Sequence, residues 1–102
     1  MRHLLKHKGY YGEIYFSVED ECYVGSVLGI KSVLAVHEDT ASETIKELIA
    51  SIDDYLSDCA EEGRMPNSTD SSVALEMEAF FRNNAFGSLH AVSANRELAV
   101  AN

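Results

Sequence analysis

The chain has 102 residues, of which 46% are hydrophobic, and a formal net charge of −9. This length allows one domain, and the hydrophobic content is too high for an intrinsically disordered protein. The negative charge excludes unaided nucleic-acid binding by the body of the domain, because it repels phosphate, and it favours a basic protein partner.

Three strands are predicted in the first part of the chain. Ile14, Phe16 and Val18 alternate with side chains of the opposite face, which is typical of a strand with one buried face. A charged turn leads to a second strand at Cys22–Val27, and a third follows at Ser32–His37. The gaps between the strands are too short for parallel crossovers, so we expect an antiparallel meander.

A long helix is predicted next, starting after Thr40 as N-cap and ending before Gly63. Glu43 stands at the capping-box position, and Pro66 prevents the helix from continuing. Apolar side chains at helical spacing form one stripe, which consists of Ile45, Leu48, Ile49, Ile52, Leu56 and Cys59. This stripe is expected to pack across the sheet and to form a two-layer α+β unit.

The residues after Asn67 are predicted to form a C-terminal helical tail. Val73, Met77 and Phe80 recur at helical spacing, although Ser72–Met77 also alternates like a strand. The chain is therefore divided into a domain at 1–67 and a tail at 68–102. Within this α+β fold the meander has three strands, with a fourth strand as an alternative.

Three phenylalanines of the tail, Phe80, Phe81 and Phe86, are expected to be buried, because exposed together they would promote aggregation. Either the tail folds back on the domain or it forms a homodimer or higher oligomer. We favour the oligomer, because a core of this size is marginally stable alone. Leu89–Val92 and Ala94–Val100 carry weak patterns of helix or disorder.

No cofactor, metal site or catalytic residue is expected. Cys22 and Cys59 lack a CxxC pattern, which predicts reduced thiols. The scattered histidines lack metal-ligand spacing, and a His37–Cys59 nucleophile pair depends on the fold bringing them together. The first residues are too short in apolar side chains for a signal peptide, and no run reaches membrane-spanning length, so a cytoplasmic location is expected.

The segment from Lys8 to Asn67 resembles the N-terminal domain of HicB-family antitoxins, in particular the HicB-like group. The resemblance is carried by KGYYG at Lys8–Gly12, GSVLGI at Gly25–Ile30 and DDYL at Asp53–Leu56. CAEEG at Cys59–Gly63 completes it. Each string is short, but their order and spacing extend over about sixty residues.

This resemblance implies a reduced ribonuclease-H-like HicB fold that lacks the catalytic carboxylates. It also implies an antitoxin that binds and inhibits HicA, a small basic RNase toxin of double-stranded-RNA-binding fold. From charge and expected exposure, we predict a toxin-docking surface with Tyr15 as its aromatic anchor. The acidic residues of this surface are Glu43, Glu47, Asp53, Asp54 and Asp58.

The C-terminal tail departs from the family, which usually continues with a DNA-binding ribbon-helix-helix or helix-turn-helix. Val73 to Met77 offers no basic side chain for a DNA groove, so operator binding is not expected. One alternative function is an orphan HicB-like oligomeric interaction domain with no toxin or operator. Another is a residual metal-dependent nuclease that uses Glu13 with carboxylates of the helix.

Overall fold

The computed structural model describes residues 2–83. One four-stranded antiparallel sheet has the strand order β1-β2-β3-β4. Its strands are β1 (Arg2–His7), β2 (Tyr10–Ser17), β3 (Cys22–Leu28) and β4 (Ala35–Glu38), and the helices are α1 (Ala41–Glu62) and α2 (Ser71–Asn83). The predicted α+β class and the antiparallel meander are confirmed.

Strand β1 is a fourth strand at a position that the sequence pattern did not predict. It pairs with β2 along its length, and a two-residue turn, Lys8 at φ 50° and Gly9 at φ 83°, joins them. Positive φ at both turn residues is the geometry that joins tightly paired antiparallel strands. Leu4 and Leu5 point to opposite faces, and each packs beneath a different helix. A strand with apolar residues on both faces lacks the alternation by which strands are recognised.

The third predicted strand is shorter than expected. Ser32–His37 was predicted to be extended throughout, whereas β4 begins at Ala35. The Ser32 N–H donates instead to the Asn67 side-chain oxygen at 2.8 Å. Because this backbone group binds the linker after α1, it does not join the sheet.

Helix α1 begins and ends where the sequence predicts. Thr40 Oγ1 accepts a hydrogen bond from the Glu43 N–H at 3.1 Å, and Gly63 adopts the left-handed conformation at φ 68°. The predicted stripe faces the sheet, and the fully covered side chains of α1 are Thr44, Leu48, Ile52 and Cys59.

The part of β2 that α1 covers differs from the predicted part, although the face is the same. Ile14 is fully buried, but Phe16 is 46% exposed and Val18 is 80% exposed. The covered residues lie in the other direction along the strand, at Tyr10 and Gly12. The alternation was therefore correctly placed, but it did not show how far α1 extends over the strand.

Close packing of α1 depends on a glycine in the neighbouring strand. A Cβ at Gly25 would lie 2.8 Å from Ile14 Cδ1 and 3.0 Å from Thr44 Cγ2. Contacts this short are repulsive, so a side chain at this position would force Ile14 and Thr44 to shift.

Helix α2 packs on the opposite face of the sheet, so it adds a third layer to the predicted two-layer unit of sheet and α1. Leu4, Tyr11 and Met77 form its core, and the partly buried hydrophobic residues around them are Leu28, Val73, Ala74 and Phe81. Tyr11 contacts α2, whereas the next residue, Gly12, lies against Leu48 of α1. The strand alternative for Ser72–Met77 is also wrong, because this segment is helical.

The division predicted between residues 67 and 68 falls in the linker that joins the two helices. Phe86 and the predicted segments Leu89–Val92 and Ala94–Val100 lie outside the described residues.

Candidate functional site

The outer side of α1 carries a row of exposed carboxylates, here called the acidic face. It consists of Glu43, Glu47, Asp54, Asp58 and Glu61. Their spacings of three, four and seven residues place them on one side of the helix, opposite the buried stripe. Glu43 to Glu61 spans about 27 Å at the α-helical rise of about 1.5 Å per residue.

The acidic face is not neutralised by the cations of residues 2–83. Glu43 accepts a hydrogen bond from the Thr40 hydroxyl at 3.1 Å, which is an uncharged contact. In this part of the chain, the ion pairs of α1 and its cap involve other carboxylates, namely Asp53 and Glu62. The carboxylates of the acidic face therefore have no ion pair within the described residues, and the one cation of α1 is Lys46 beside Glu47.

Asp53 is placed differently from its predicted companions. Its Oδ1 lies 2.8 Å from His7 Nε2 and 2.9 Å from Lys8 Nζ. Partial burial acts to raise the pKa of Asp53, but the hydrogen bonds from Lys8 and His7 outweigh it and lower this pKa below the ordinary value. Asp53 thus connects α1 to the turn between β1 and β2.

Tyr15 lies on the other side of the sheet from the acidic face. It pairs in register with Val24, on the face that α2 partly covers, and its exposed fraction is 39%. Of the six predicted docking residues, Glu43, Glu47, Asp54 and Asp58 therefore share one surface. Asp53 turns toward β1, and Tyr15 belongs to the opposite face.

The described aromatic residues of the tail lie at the end of α2. The Phe81 ring stacks on Tyr11 with centroids 6.3 Å apart and an interplanar angle of 30°. Phe80 meets Phe81 edge to face at 5.4 Å and is 40% exposed. The tail therefore folds back on the domain as far as Asn83, and the homodimer stays a prediction.

A polar cluster that the sequence did not predict fastens α2 to the sheet. Lys6 Nζ lies 2.6 Å from Glu78 Oε2, and the Tyr11 hydroxyl donates to the same oxygen. Lys6 also lies 5.5 Å from the centroid of the Tyr11 ring. We call these three residues the α2 latch. No sequence signal marks it, because Lys6 and Glu78 are 72 positions apart.

The charges of the latch stabilise one another. The hydrogen bond from Lys6 lowers the pKa of Glu78, and the Glu78 carboxylate raises the pKa of Lys6. Burial raises the pKa of Tyr11, whose hydroxyl remains a donor.

The predicted alternatives involving catalysis are not assembled in the described residues. In residues 2–83 no group of three or more His, Cys, Asp or Glu side chains has the arrangement of a metal site. Cys59 is buried beneath α1, whereas His37 is exposed on β4 in register with Val24. The fold therefore does not bring His37 and Cys59 together, and both cysteines of the chain are free thiols.

Of the helices in the described range, neither is at once long and apolar enough to cross a bilayer. Comparison with known protein families, with functionally described proteins and with solved structures finds no match to this chain. The resemblance of residues 8–67 to the HicB family therefore stays a prediction from the motifs.

Proposed function

We propose that this chain is an antitoxin-like protein of a HicAB-like, type II toxin–antitoxin system. In this proposal the acidic face of α1 binds and neutralises a small basic RNase toxin. The finer fold assignment, a reduced ribonuclease-H-like HicB domain, and the cytoplasmic location belong to the same proposal. It is supported by the motifs of residues 8–67 and by the α+β arrangement that contains them.

The observation that carries the proposal is that the carboxylates of the acidic face are exposed and form no ion pair within residues 2–83. Oriented carboxylates on a rigid helix attract a basic protein and accelerate its encounter. Lys6 and Lys8, which lie in β1 and the turn after it, are already paired with Glu78 and Asp53. Intramolecular pairing therefore leaves the acidic face available to a partner.

The same charge explains how docking inhibits an RNase. A toxin that binds RNA holds phosphates with Lys and Arg side chains. A row of carboxylates about 27 Å long competes for those cations, because it presents the same sign of charge on a rigid rod. Bound antitoxin therefore excludes RNA from the surface that would otherwise bind it.

Operator binding is not part of the proposal. In α2 the one basic residue, Arg82, is accompanied by Glu76 and Glu78. A helix of this charge is repelled by DNA phosphates, so α2 is a poor candidate for a recognition helix.

The experiment starts from the tagged chain in its native cells. Bound proteins are identified by mass spectrometry, and the recovered basic protein is purified and assayed for RNA cleavage. We expect cleavage that stops when an equimolar amount of this chain is added. Recovery of a basic protein without RNase activity, or of an RNase that this chain does not inhibit, contradicts the proposal.

Charge reversal tests the surface. Glu47→Lys, Asp54→Lys and Asp58→Lys combined are expected to abolish inhibition and to weaken binding strongly. Asp54→Lys alone is compared with Glu76→Lys, because both change charge equally at exposed helical positions. Equal effects of the two single variants would show that net charge, and not the acidic face, governs binding.

A second candidate is an orphan oligomeric interaction domain, which the exposed apolar side of α2 favours. Leu75 is 74% exposed there. Light scattering of the full chain across a concentration series, repeated with Leu75→Ser, tests it. A monomer at every concentration contradicts this candidate.

A further inference from the structure

At one end of the sheet, a row of residues paired across β2, β3 and β4 lies beyond the part that α1 covers. Register pairs Ile14 with Gly25 and Gly25 with Val36, and this row lies beneath Thr44, the first fully buried residue of α1. The next row on the same face pairs Phe16 with Tyr23 and Tyr23 with Glu38. Side chains two residues apart on a strand share a face, so this row points to the α1 side of the sheet.

The row carries an aromatic pair, here called the aromatic end, that consists of the exposed Phe16 and the half-buried Tyr23. The two rings meet edge to face with centroids 5.1 Å apart. Phe16 is 46% exposed, and the nearby Val18 is 80% exposed. The edge-to-face contact holds both rings in place, so little conformational entropy remains to be lost when a partner covers them.

Carboxylates surround the aromatic end. Glu38 pairs in register with Tyr23, and Asp39 follows it. The β2–β3 turn contributes three more acidic residues at the same end of the sheet, Glu19, Asp20 and Glu21. Residues 9–30 and 32–45 contain no Lys or Arg. The basic position of β1 at this end of the sheet, Arg2, pairs in register with Tyr15 and not with Phe16.

The aromatic end also lies on the same side of the sheet as α1. Only Asp39 and Thr40 separate Glu38 from the first residue of the helix. The acidic face and the aromatic end therefore both lie on the α1 side of the sheet, opposite Tyr15. The aromatic end can take the role of apolar anchor that the sequence analysis gave to Tyr15.

We propose that the aromatic end is the anchoring point for a basic segment of a partner protein, one that presents an apolar or arginine side chain between further cations. The ring faces accept an aliphatic, aromatic or guanidinium group, and the carboxylates pair with the flanking cations. This inference rests on the proposed function, because it takes the partner to be the same basic protein. It adds the place where that protein is held.

The occupant follows from the charge of the surroundings. A second copy of this chain, placed face to face, would bring the carboxylates of both copies together. Like charges at such a contact are repulsive, so self-association is disfavoured. A basic protein removes the same repulsion, because each of its cations meets a carboxylate.

The test uses two amidated peptides of equal charge, Arg-Arg-Trp-Arg-Arg and Arg-Arg-Gly-Arg-Arg, titrated into the ¹⁵N-labelled full chain. The tryptophan peptide is expected to bind about tenfold more tightly, because only it fills the aromatic pair. Its largest chemical-shift changes are expected at Phe16, Tyr23 and Glu38. Equal binding of the two peptides, or shifts confined to the acidic face, would overturn the inference.

Two variants of the chain change the rings and the carboxylates separately, so that loss of peptide binding can be distinguished from misfolding. Phe16→Ser is expected to remove the preference for tryptophan, and its matched control is Val33→Ser, which alters another apolar side chain that is 89% exposed. Glu38→Gln with Asp39→Asn leaves the rings in place and is expected to weaken both peptides. If neither variant changes binding, the inference is wrong.

Two further outcomes distinguish this inference from its alternatives. A toxin that is still bound and inhibited by Phe16→Ser, but not by the acidic-face reversal, contradicts the inference and leaves the proposed function intact. Sedimentation that shows a wild-type dimer and a Phe16→Ser monomer contradicts it as well, because the occupant is then a second copy.

Discussion

The hydroxyl of Tyr10 donates a hydrogen bond of 2.5 Å to the backbone carbonyl of Asn67. On the other side of the same residue, the Asn67 N–H donates to the Tyr55 hydroxyl at 2.7 Å. The Asn67 side chain accepts from the N–H and hydroxyl of Ser32, both at 2.8 Å. One linker residue is thus held by β2, by α1 and by the loop before β4, which fixes the path of the chain just after α1.

Removing the Tyr10 hydroxyl is expected to destabilise the protein. Tyr10 is 6% exposed, so Tyr10→Phe leaves the Asn67 carbonyl without this donor in a covered position. The expected loss is about 1 kcal/mol of unfolding free energy. Urea denaturation measures it. Tyr15→Phe is the control, since Tyr15 is 39% exposed; equal midpoints for the two variants would show that the hydrogen bond is not stabilising.

The α2 latch predicts a dependence of stability on acid pH. The pKa of Glu78 is lower in the folded chain than its ordinary value of 4.5, chiefly because Lys6 binds the carboxylate. A lowered folded pKa means that the stabilisation is complete above the ordinary value and is lost as pH falls through the lower one. Loosening of α2 below about pH 4 is therefore expected.

The latch is measured through the methyl signals of Met77 or the ring signals of Tyr11 and Phe81 across the acid range. Glu78→Gln is expected to loosen α2 at neutral pH and to remove the acid transition of these signals. Both partners are almost half exposed, so the loss of stability is expected to be about 1 kcal/mol or less. Glu76→Gln, on the same helix, should change neither. An acid transition that survives in Glu78→Gln would assign it to another group.

Truncation of the N-cap side chain of α1, Thr40, is expected to lower the free energy of unfolding. Thr40→Ala removes the acceptor of the Glu43 N–H and is expected to cost about 1 kcal/mol. Thr40→Ser keeps the hydroxyl and should retain most of that stability. Thermal unfolding of the two variants measures the difference, and the same midpoint in both would show that the cap does not stabilise α1.

The core beneath α1 predicts a large contrast between two leucines. Leu48 is fully buried and Leu75 is 74% exposed. Leu48→Ala is expected to cost about 2–5 kcal/mol, because it loses apolar burial and leaves a cavity. Leu75→Ala should stay within about 0.5 kcal/mol of the wild type. Comparable losses in denaturant titrations would contradict the packing of α1 on the sheet.

Local sequence patterns were sufficient for elements whose signals lie close together in the chain. Thr40, Glu43 and Gly63 define both ends of α1, because capping depends on residues within a few positions of each other. The helical spacing of Val73, Met77 and Phe80 likewise predicted α2, although Phe80 is 40% exposed and the neighbouring Phe81 packs on the core. The exposed carboxylates of the acidic face followed from the same periodicity.

Strand β1 could not be recognised in this way. Leu4 and Leu5 each pack under a helix that lies far ahead in the chain, so the pattern has no polar face. The side of the sheet that α2 occupies was also undetermined, because it depends on contacts of Met77 and Glu78 with β1 and β2, far away in the sequence.

The sequence by itself determined the α+β class, the limits of α1, and the negative charge on its outer side, all of which depend on residues that are near neighbours. Only the tertiary structure decided that Asp53 pairs with His7 and Lys8, that Tyr15 faces away from α1, and that Phe16 is left exposed against Tyr23. These relationships join residues from different strands and helices. They depend on strand register and on how far each helix extends over the sheet, which no local pattern specifies.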